Sequence, residues 1–251
     1  MIDLNTHILP MIDFGSKTLD QSLQLAKLFI KDGITDVVAS PTYAEPISIL
    51  AYTKQLNVEL RNRALDLTVH PAQRIDIANY NYRDLLDGKV IGLGQNIKTP
   101  LISIQNNANV LHYLDTFKEM SLFGVHPIIE HPERNISIQN NPDILIELII
   151  MGAIIQVQSA SLIGDYGKSV QKLAKEMLKY GYVHVLASET RDLNHSNGSL
   201  KAALKVAKKV SGKDGVENLS RNSSKILNGY IPSIVIPQQI PDKAIQRYAM
   251  M

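Results

Sequence analysis

The chain has 251 residues, 45% hydrophobic and 20% charged, with a formal net charge of +2 and no cysteine. The missing cysteine excludes disulfides, thiolate metal sites and any phosphatase or protease that attacks through a thiolate. The weak charge gives no reason to expect nucleic acid. The length allows one large domain, such as an α/β barrel, or two small ones, and the start, MIDLNTHILP, lacks the basic region and small-residue cleavage site of a secretory leader. No apolar run reaches the ~20 residues of a membrane helix, so the expectation is a cytoplasmic protein without membrane insertion.

In chain order, Met1–Leu4 predicts a short strand and Thr18–Lys31 an amphipathic helix, with Asp20 in its first turn and Gly33 past its end. Asp36–Ala39 predicts a strand, Pro46–Leu65 a long helix and Leu67–Ile77 a further strand. A short helix at Tyr82–Leu86 precedes strand Leu101–Ile104, helix Val110–Leu122 and strand His126–Ile129. Helix Pro142–Met151 leads into strand Ala153–Val157, and helix Lys168–Tyr180 into strand Val183–Ala187. Two helical stretches close the domain, Leu200–Val210 and Asp214–Leu227; Lys201, Lys205, Lys208 and Lys209 form a solvated face on the first.

Repeated βα units with apolar strands mean a parallel sheet covered by helices. About seven such units without a Gly-x-Gly-x-x-Gly turn favour a barrel over a dinucleotide fold. The expected organisation is one domain over 1–231 and a C-terminal tail over 232–251, which serves as a partner-binding arm or is merely loose.

A parallel barrel places its site at the carboxyl ends of the strands. The polar residues there are Asn5, His7, Thr42, Arg74, Ser103, His131, Gln158, Glu189 and Arg191. His70, His126, His184 and His195 have no ligand spacing and are expected to be ordinary strand or loop histidines. Tyr43, Tyr80 and Tyr82 are expected to pack rather than hold substrate.

The start of the chain resembles the pattern M-I-D-I-H-x-H-I-L-P. Together with Pro127–Arg134, Gly152–Val157, Ser161–Gly164 and Val183–Ser188, it is similar to one group in the polymerase-and-histidinol-phosphatase (PHP) superfamily. That group is the bacterial manganese-dependent protein-tyrosine phosphatases of capsule and exopolysaccharide operons. The resemblance runs from residue 1 to about 230. It implies a distorted TIM-like (β/α)7 barrel of PHP type. It also implies three manganese ions held by His and carboxylate groups, and a phosphotyrosine protein, a bacterial tyrosine kinase, as substrate. Such ions would neutralise phosphoryl oxygens and supply hydroxide near neutral pH.

Carried over by position, the ligand set is depleted. The resemblance puts metal ligands at Asn5, Phe14, Thr42, Arg74, Ser103 and Arg191, and none of these side chains suits the task. His7 and His131 are retained, and Glu189 stands where an aspartate is expected. Arg74 and Arg191 bring permanent cations to where metal would sit. The expectation is a degenerate member with manganese absent or sub-stoichiometric. In it Arg74, Arg134 and Arg191 bind phosphotyrosine or another anion with little hydrolysis. The alternative is a working phosphatase with one or two ions at His7, His131 and Glu189, in which Arg134 and Glu189 act catalytically. A structural partner that ignores the pocket, or a homo-oligomer, also stays open.

Overall fold

The computed structural model describes residues 1–13, 15–42, 44–81, 84–85, 87–193 and 199–241. Among these, eight short strands lie in two parallel sheets. The first holds β1 (Ile2–Thr6), β2 (Asp36–Ala39) and β3 (Thr68–Pro71), in that order. The second runs β4 (Arg74–Asp76), β5 (Leu101–Ser103), β6 (Ile128–Glu130), β7 (Ile154–Gln158) and β8 (Val185–Ala187).

The expected single strand over Leu67–Ile77 is broken at Ala72–Gln73, so its halves, β3 and β4, belong to different sheets. Backbone bonds still cross the break: Ala72 N donates to Ala39 O at 2.9 Å and Arg74 N to Pro41 O at 3.0 Å. On the other side, a parallel bridge joins Thr6 to Thr190, just past β8. The result is a distorted seven-strand barrel that strand pairing does not close continuously.

The interior shows the same ring. One apolar cluster takes one residue from each of β1, β2, β5, β6, β7 and β8, and Ala72 from the break between β3 and β4: Leu4, Val38, Ala72, Leu101, Ile128, Ile154 and Val185. Strand side chains alternate in direction, so their sequence neighbours Val37, Ile102, Ile129, Ile155 and Leu186 join the larger cluster under the helices.

The helices are α1 (Leu19–Asp32), α2 (Pro46–Asn62), α3 (Leu114–Leu122), α4 (Ile136–Asn140), α5 (Ile144–Ile150), α6 (Ser159–Ile163), α7 (Lys168–Lys179) and α8 (Leu200–Leu227). In α1, Thr18 accepts a hydrogen bond from Gln21 N and Gly33 ends the helix at φ 83°, the capping expected from sequence. The two expected C-terminal helices form one element, α8, with a non-helical break at Gly212 (φ 74°). Beyond the break, Ile226 reaches the interior cluster and covers the barrel floor beside Leu93. That approach requires glycine at position 94, where a Cβ would lie 2.2 Å from Ile226 O.

Sequence periodicity did not reveal α4 and α6, each five residues long. The expected helix at Tyr82–Leu86 lies largely outside the described residues. Past Pro232 the chain is anchored at points, with Val235 and Ile236 exposed between them: Gln238 N donates to Tyr180 O at 3.0 Å, and Ile240 is fully buried. Residues 242–251 lie outside the described part.

Candidate functional site

Two residues beyond each interior apolar position, toward the strand's carboxyl end, the side chain points inward again. On β2 to β7 those positions are Ser40, Arg74, Ser103, Glu130 and Gln156, and on β8 Ala187, so a layer that is polar except at Ala187 sits on the apolar one. A bulge in β1 between Asp3 and Thr6 lets Asn5 join them. Asn5 Nδ2 donates to Glu130 Oε2 at 2.7 Å and to Gln156 Oε1 at 3.1 Å, while Ser40 Oγ donates to Asn5 Oδ1. Asn5 thus ties its own strand to β2, β6 and β7 in the place where the resemblance puts a metal-binding histidine.

Arg74 occupies the centre. Its Nη1 lies 3.3 Å from Glu130 Oε1 and 3.2 Å from Glu189 Oε1, and its Nε donates to Thr42 Oγ1 at 2.7 Å. Glu189 gathers two more guanidinium groups: Arg191 donates to Oε1, and Arg134 Nη1 lies 3.5 Å from Oε2. Arg134 also donates to Gln158 Oε1 at 3.0 Å. His131 Nε2 lies 3.0 Å from Glu130 Oε1. Two buried carboxylates therefore face three guanidinium groups and an imidazole, a cluster with net positive charge.

The electrostatics follow from burial and these neighbours. Burial alone would raise Glu130, but His131 and Arg74 hold it well below the usual carboxylate range. Burial opposes the charge on His131 too, yet Glu130 beside it raises the imidazole above its ordinary value. Glu189, also opposed by burial, is lowered by His131 and Arg191. His7 is lowered to about 4 by burial and by Arg74. Asp3, fully buried under Ser188 N and Asn5 N, is pushed up to about 6 by desolvation.

Two members sit in strained backbone. His131 has φ 34° and Glu189 φ 54°, the left-handed region that non-glycine residues rarely adopt. Such strain persists where the surroundings over-determine it, and functional sites are where it collects.

A three-ion cluster does not fit these donors. Asn5, Thr42 and Ser103 are neutral, and Arg74 and Arg191 are cations already bonded to Glu189. A single divalent ion has a possible donor set: one ligand atom each from Glu130, His131 and Glu189 lies within 4.8 Å of the other two. The sequence-based set was His7, His131 and Glu189; this group shares His131 and Glu189 with it and has Glu130 in place of His7. His7 lies outside the group; neither ring nitrogen has a hydrogen-bond partner among the described residues, and its Nδ1 stands 3.9 Å from Asp13 Oδ2.

Of the other expected residues, Thr42 and Gln158 serve as partners of Arg74 and Arg134. Ser103 closes β5 in register with Asp76, and Phe14 lies outside the described residues. The ordinary histidines behave as expected where described. His70 pairs with Asp36, His126 lies 3.1 Å from Gly152 O, and His184 Nδ1 accepts from Ile155 N. His195, Tyr43 and Tyr82 lie outside the described residues.

Sequence reasoning missed Glu130, Gln156 and Tyr166. Counting two residues on from Ile128 and Ile154 finds the first two. Tyr166, whose ring lies 4.3 Å from the Arg134 guanidinium carbon, carried no periodic signal.

Barrel and cluster together define a PHP-type α/β barrel with its polar centre at the carboxyl ends of the strands. The chain belongs to the family described as capsular polysaccharide synthesis, CpsB/CapC, whose profile matches residues 1–228. It is 29% identical to a putative tyrosine-protein phosphatase CapC of Staphylococcus aureus over 95% of this chain and 96% of that one. It is 30% identical to the tyrosine-protein phosphatase YwqE of Bacillus subtilis over 90% and 91%.

Among solved structures, it is similar to a chain from the crystal structures of YwqE from Bacillus subtilis and CpsB from Streptococcus pneumoniae, described as unique metal-dependent tyrosine phosphatases. That likeness has a TM-score of 0.91 at 29% identity, over 96% of this chain and 100% of the other. A histidinol phosphate phosphatase from Lactococcus lactis shares the fold at 10% identity and a TM-score of 0.54, over 84% and 95%. The sequence alone favoured a pocket that binds phosphotyrosine or another anion with little or no hydrolysis. The relatives are named as phosphatases and weigh toward the alternative, hydrolysis with a reduced metal set.

Proposed function

We propose that the protein hydrolyses phosphotyrosine on a protein of the capsular-polysaccharide machinery, with a metal site contracted to one ion. The observation that carries this reading is the convergence of the Glu130–His131–Glu189 donor set with Arg74, Arg134 and Arg191. The names of the relatives support the reaction class.

Glu130, His131 and Glu189 would hold a divalent ion, which would supply charge neutralisation and hydroxide near neutral pH. Manganese suits imidazole and carboxylate donors. Arg134 and Arg191 hold the phosphoryl oxygens, since guanidinium matches the geometry of phosphate. Arg74 fixes the two carboxylates and adds charge to the same pocket. The substrate on this reading is a bacterial tyrosine kinase met in the cytoplasm. No helix among the described residues is long and apolar enough to cross a membrane.

A second reading has one observation in its favour: the Arg74 guanidinium contacts both carboxylates, between which a metal cation would have to fit. On it, the pocket holds phosphotyrosine and does not cleave it. A phosphotyrosine peptide, assayed for binding and for phosphate release with and without manganese, separates the two. Release that rises with manganese supports the first reading. Binding without release at any metal concentration supports the second. Neither binding nor release overturns both.

A further inference from the structure

Tyr166 stands at the mouth of the cluster, in a turn built to hold it there. Gly164 and Asp165 both donate their backbone N–H to Ala160 O at 3.0 Å, and Gly167 N donates to Gly164 O at 3.0 Å. Gly164 (φ 103°) and Gly167 (φ 91°) supply left-handed backbone on either side of Asp165–Tyr166. A Cβ at Gly164 would lie 2.9 Å from Gln171 Nε2, which itself donates to Leu162 O at 3.0 Å. The turn between α6 and α7 is thus pinned at both ends, and the tyrosine it presents is 41% exposed.

One face of the ring stacks on the Arg134 guanidinium, 4.3 Å from carbon to centroid. The same guanidinium reaches inward to Gln158 and Glu189. A line therefore runs from an open aromatic surface, through a cation, to the centre of the cluster.

We propose that Tyr166 is the aromatic wall of this pocket, a specificity-determining residue that favours phosphoryl groups carried on a ring over those on an aliphatic chain. The inference rests on the phosphoryl-binding reading above. A ligand whose phosphoryl oxygens meet Arg134 brings the group bearing them up beside Tyr166. An aromatic group there packs offset or edge-on against the tyrosine, which is favourable beyond the area it buries. An alkyl group in that place gains much less. The phenol hydroxyl is not needed for this contact; the ring is. The stack also holds Arg134 in place, so Tyr166 has a positioning role as well.

The test compares phenylphosphonate with methylphosphonate, which share a head group and are not hydrolysed. Binding is measured by calorimetry with manganese present, on the wild type, Tyr166→Phe and Tyr166→Ala. The wild type is expected to prefer phenylphosphonate by about tenfold. Tyr166→Phe keeps that ratio, and Tyr166→Ala brings it to within about twofold of unity whatever happens to the absolute affinities. A loss of Arg134 positioning alone weakens both ligands together and leaves the ratio unchanged, which overturns the aromatic-wall assignment but not the phosphoryl site. If neither phosphonate binds the folded wild type, the phosphoryl-binding reading falls and the wall falls with it.

Discussion

Arg74 and Glu189, 115 residues apart in sequence, meet at 3.2 Å between Nη1 and Oε1. The contact spans the barrel, since Arg74 opens β4 and Glu189 follows β8. The same nitrogen lies 3.3 Å from Glu130 Oε1. One fixed cation therefore does for two buried carboxylates part of what a metal ion would do, without the exchange and Lewis acidity of a metal.

Removing that cation leaves Glu130 and Glu189 facing each other with too little positive charge between them. Breaking a buried pair on one side typically costs ~3–5 kcal/mol. Arg74→Ala is expected to lose about that much in urea unfolding with a chelator present. Manganese should restore part of the loss, because the opened space is lined by Glu130, His131 and Glu189. Full loss with no recovery in manganese would speak against those three as a metal site.

Glu189 has the opposite role for an anion, because it already occupies Arg74, Arg134 and Arg191. Glu189→Gln keeps the shape and removes one negative charge close to the bound phosphoryl group. Coulomb's law with an intermediate dielectric puts the gain in phosphate affinity at roughly tenfold. On the proposed function the same change abolishes phosphate release from a phosphotyrosine peptide. Tighter binding with full activity would remove Glu189 from the reaction.

Much of this centre was legible in the sequence, for a physical reason. In a parallel barrel the polar strand ends converge, so reading the strand ends brought Asn5, Thr42, Arg74, His131, Gln158, Glu189 and Arg191 to one place. Glu130 escaped because a glutamate closing the apolar run Ile128–Ile129 looks like a strand reaching water. In fact β6 is buried at all three positions, and Glu130 points inward. The break at Ala72–Gln73 did carry a signal, since Pro71 cannot donate to a strand ladder and weakens the run there, but the β-branched residues on both sides made it read as one strand; the pairing of its two halves with different neighbours shows the break. Tyr166 was invisible because a single aromatic residue between glycines has no period to betray its contact with Arg134.

Asn5 gives a stability prediction that separates structure from chemistry. Its side chain satisfies Glu130, Gln156 and Ser40 at once in a fully buried setting. Each group stranded by its loss costs about 1–3 kcal/mol. Asn5→Ala is expected to lower unfolding free energy by roughly 2–4 kcal/mol on that scale. A variant with unchanged stability would mean that water replaces the amide at little cost.

His184 sets an acid limit on stability. It is lowered to about 4 chiefly by burial, and Ile155 N donates to its Nδ1, which requires the neutral ring. The folded value lies below the ordinary 6.5, so the unfolded chain takes up the proton first as pH falls. Stability from this group is complete above about 6.5 and is lost progressively down to about 4. The full span is on the order of 3 kcal/mol. His184→Gln should flatten the unfolding free energy between those limits. His7, lowered in the same window, keeps a slope of the same sign, and Asp3, raised to about 6, adds one of the opposite sign. An unaltered slope would show that His184 titrates normally in the folded protein.

The floor of the barrel can be weakened without touching the cluster. Ile226 is fully buried against Leu4, Val38, Ile128 and Val185, the layer beneath Asn5, Ser40, Glu130 and Arg74. Ile226→Ala opens a cavity there, and losses of this kind run about 2–5 kcal/mol. Phosphonate affinity should stay within about twofold, because the polar layer is tied together by its own hydrogen bonds across the strands. A large fall in affinity with this variant would mean instead that the floor holds the strand ends in register, and that α8 beyond Gly212 belongs to the functional unit.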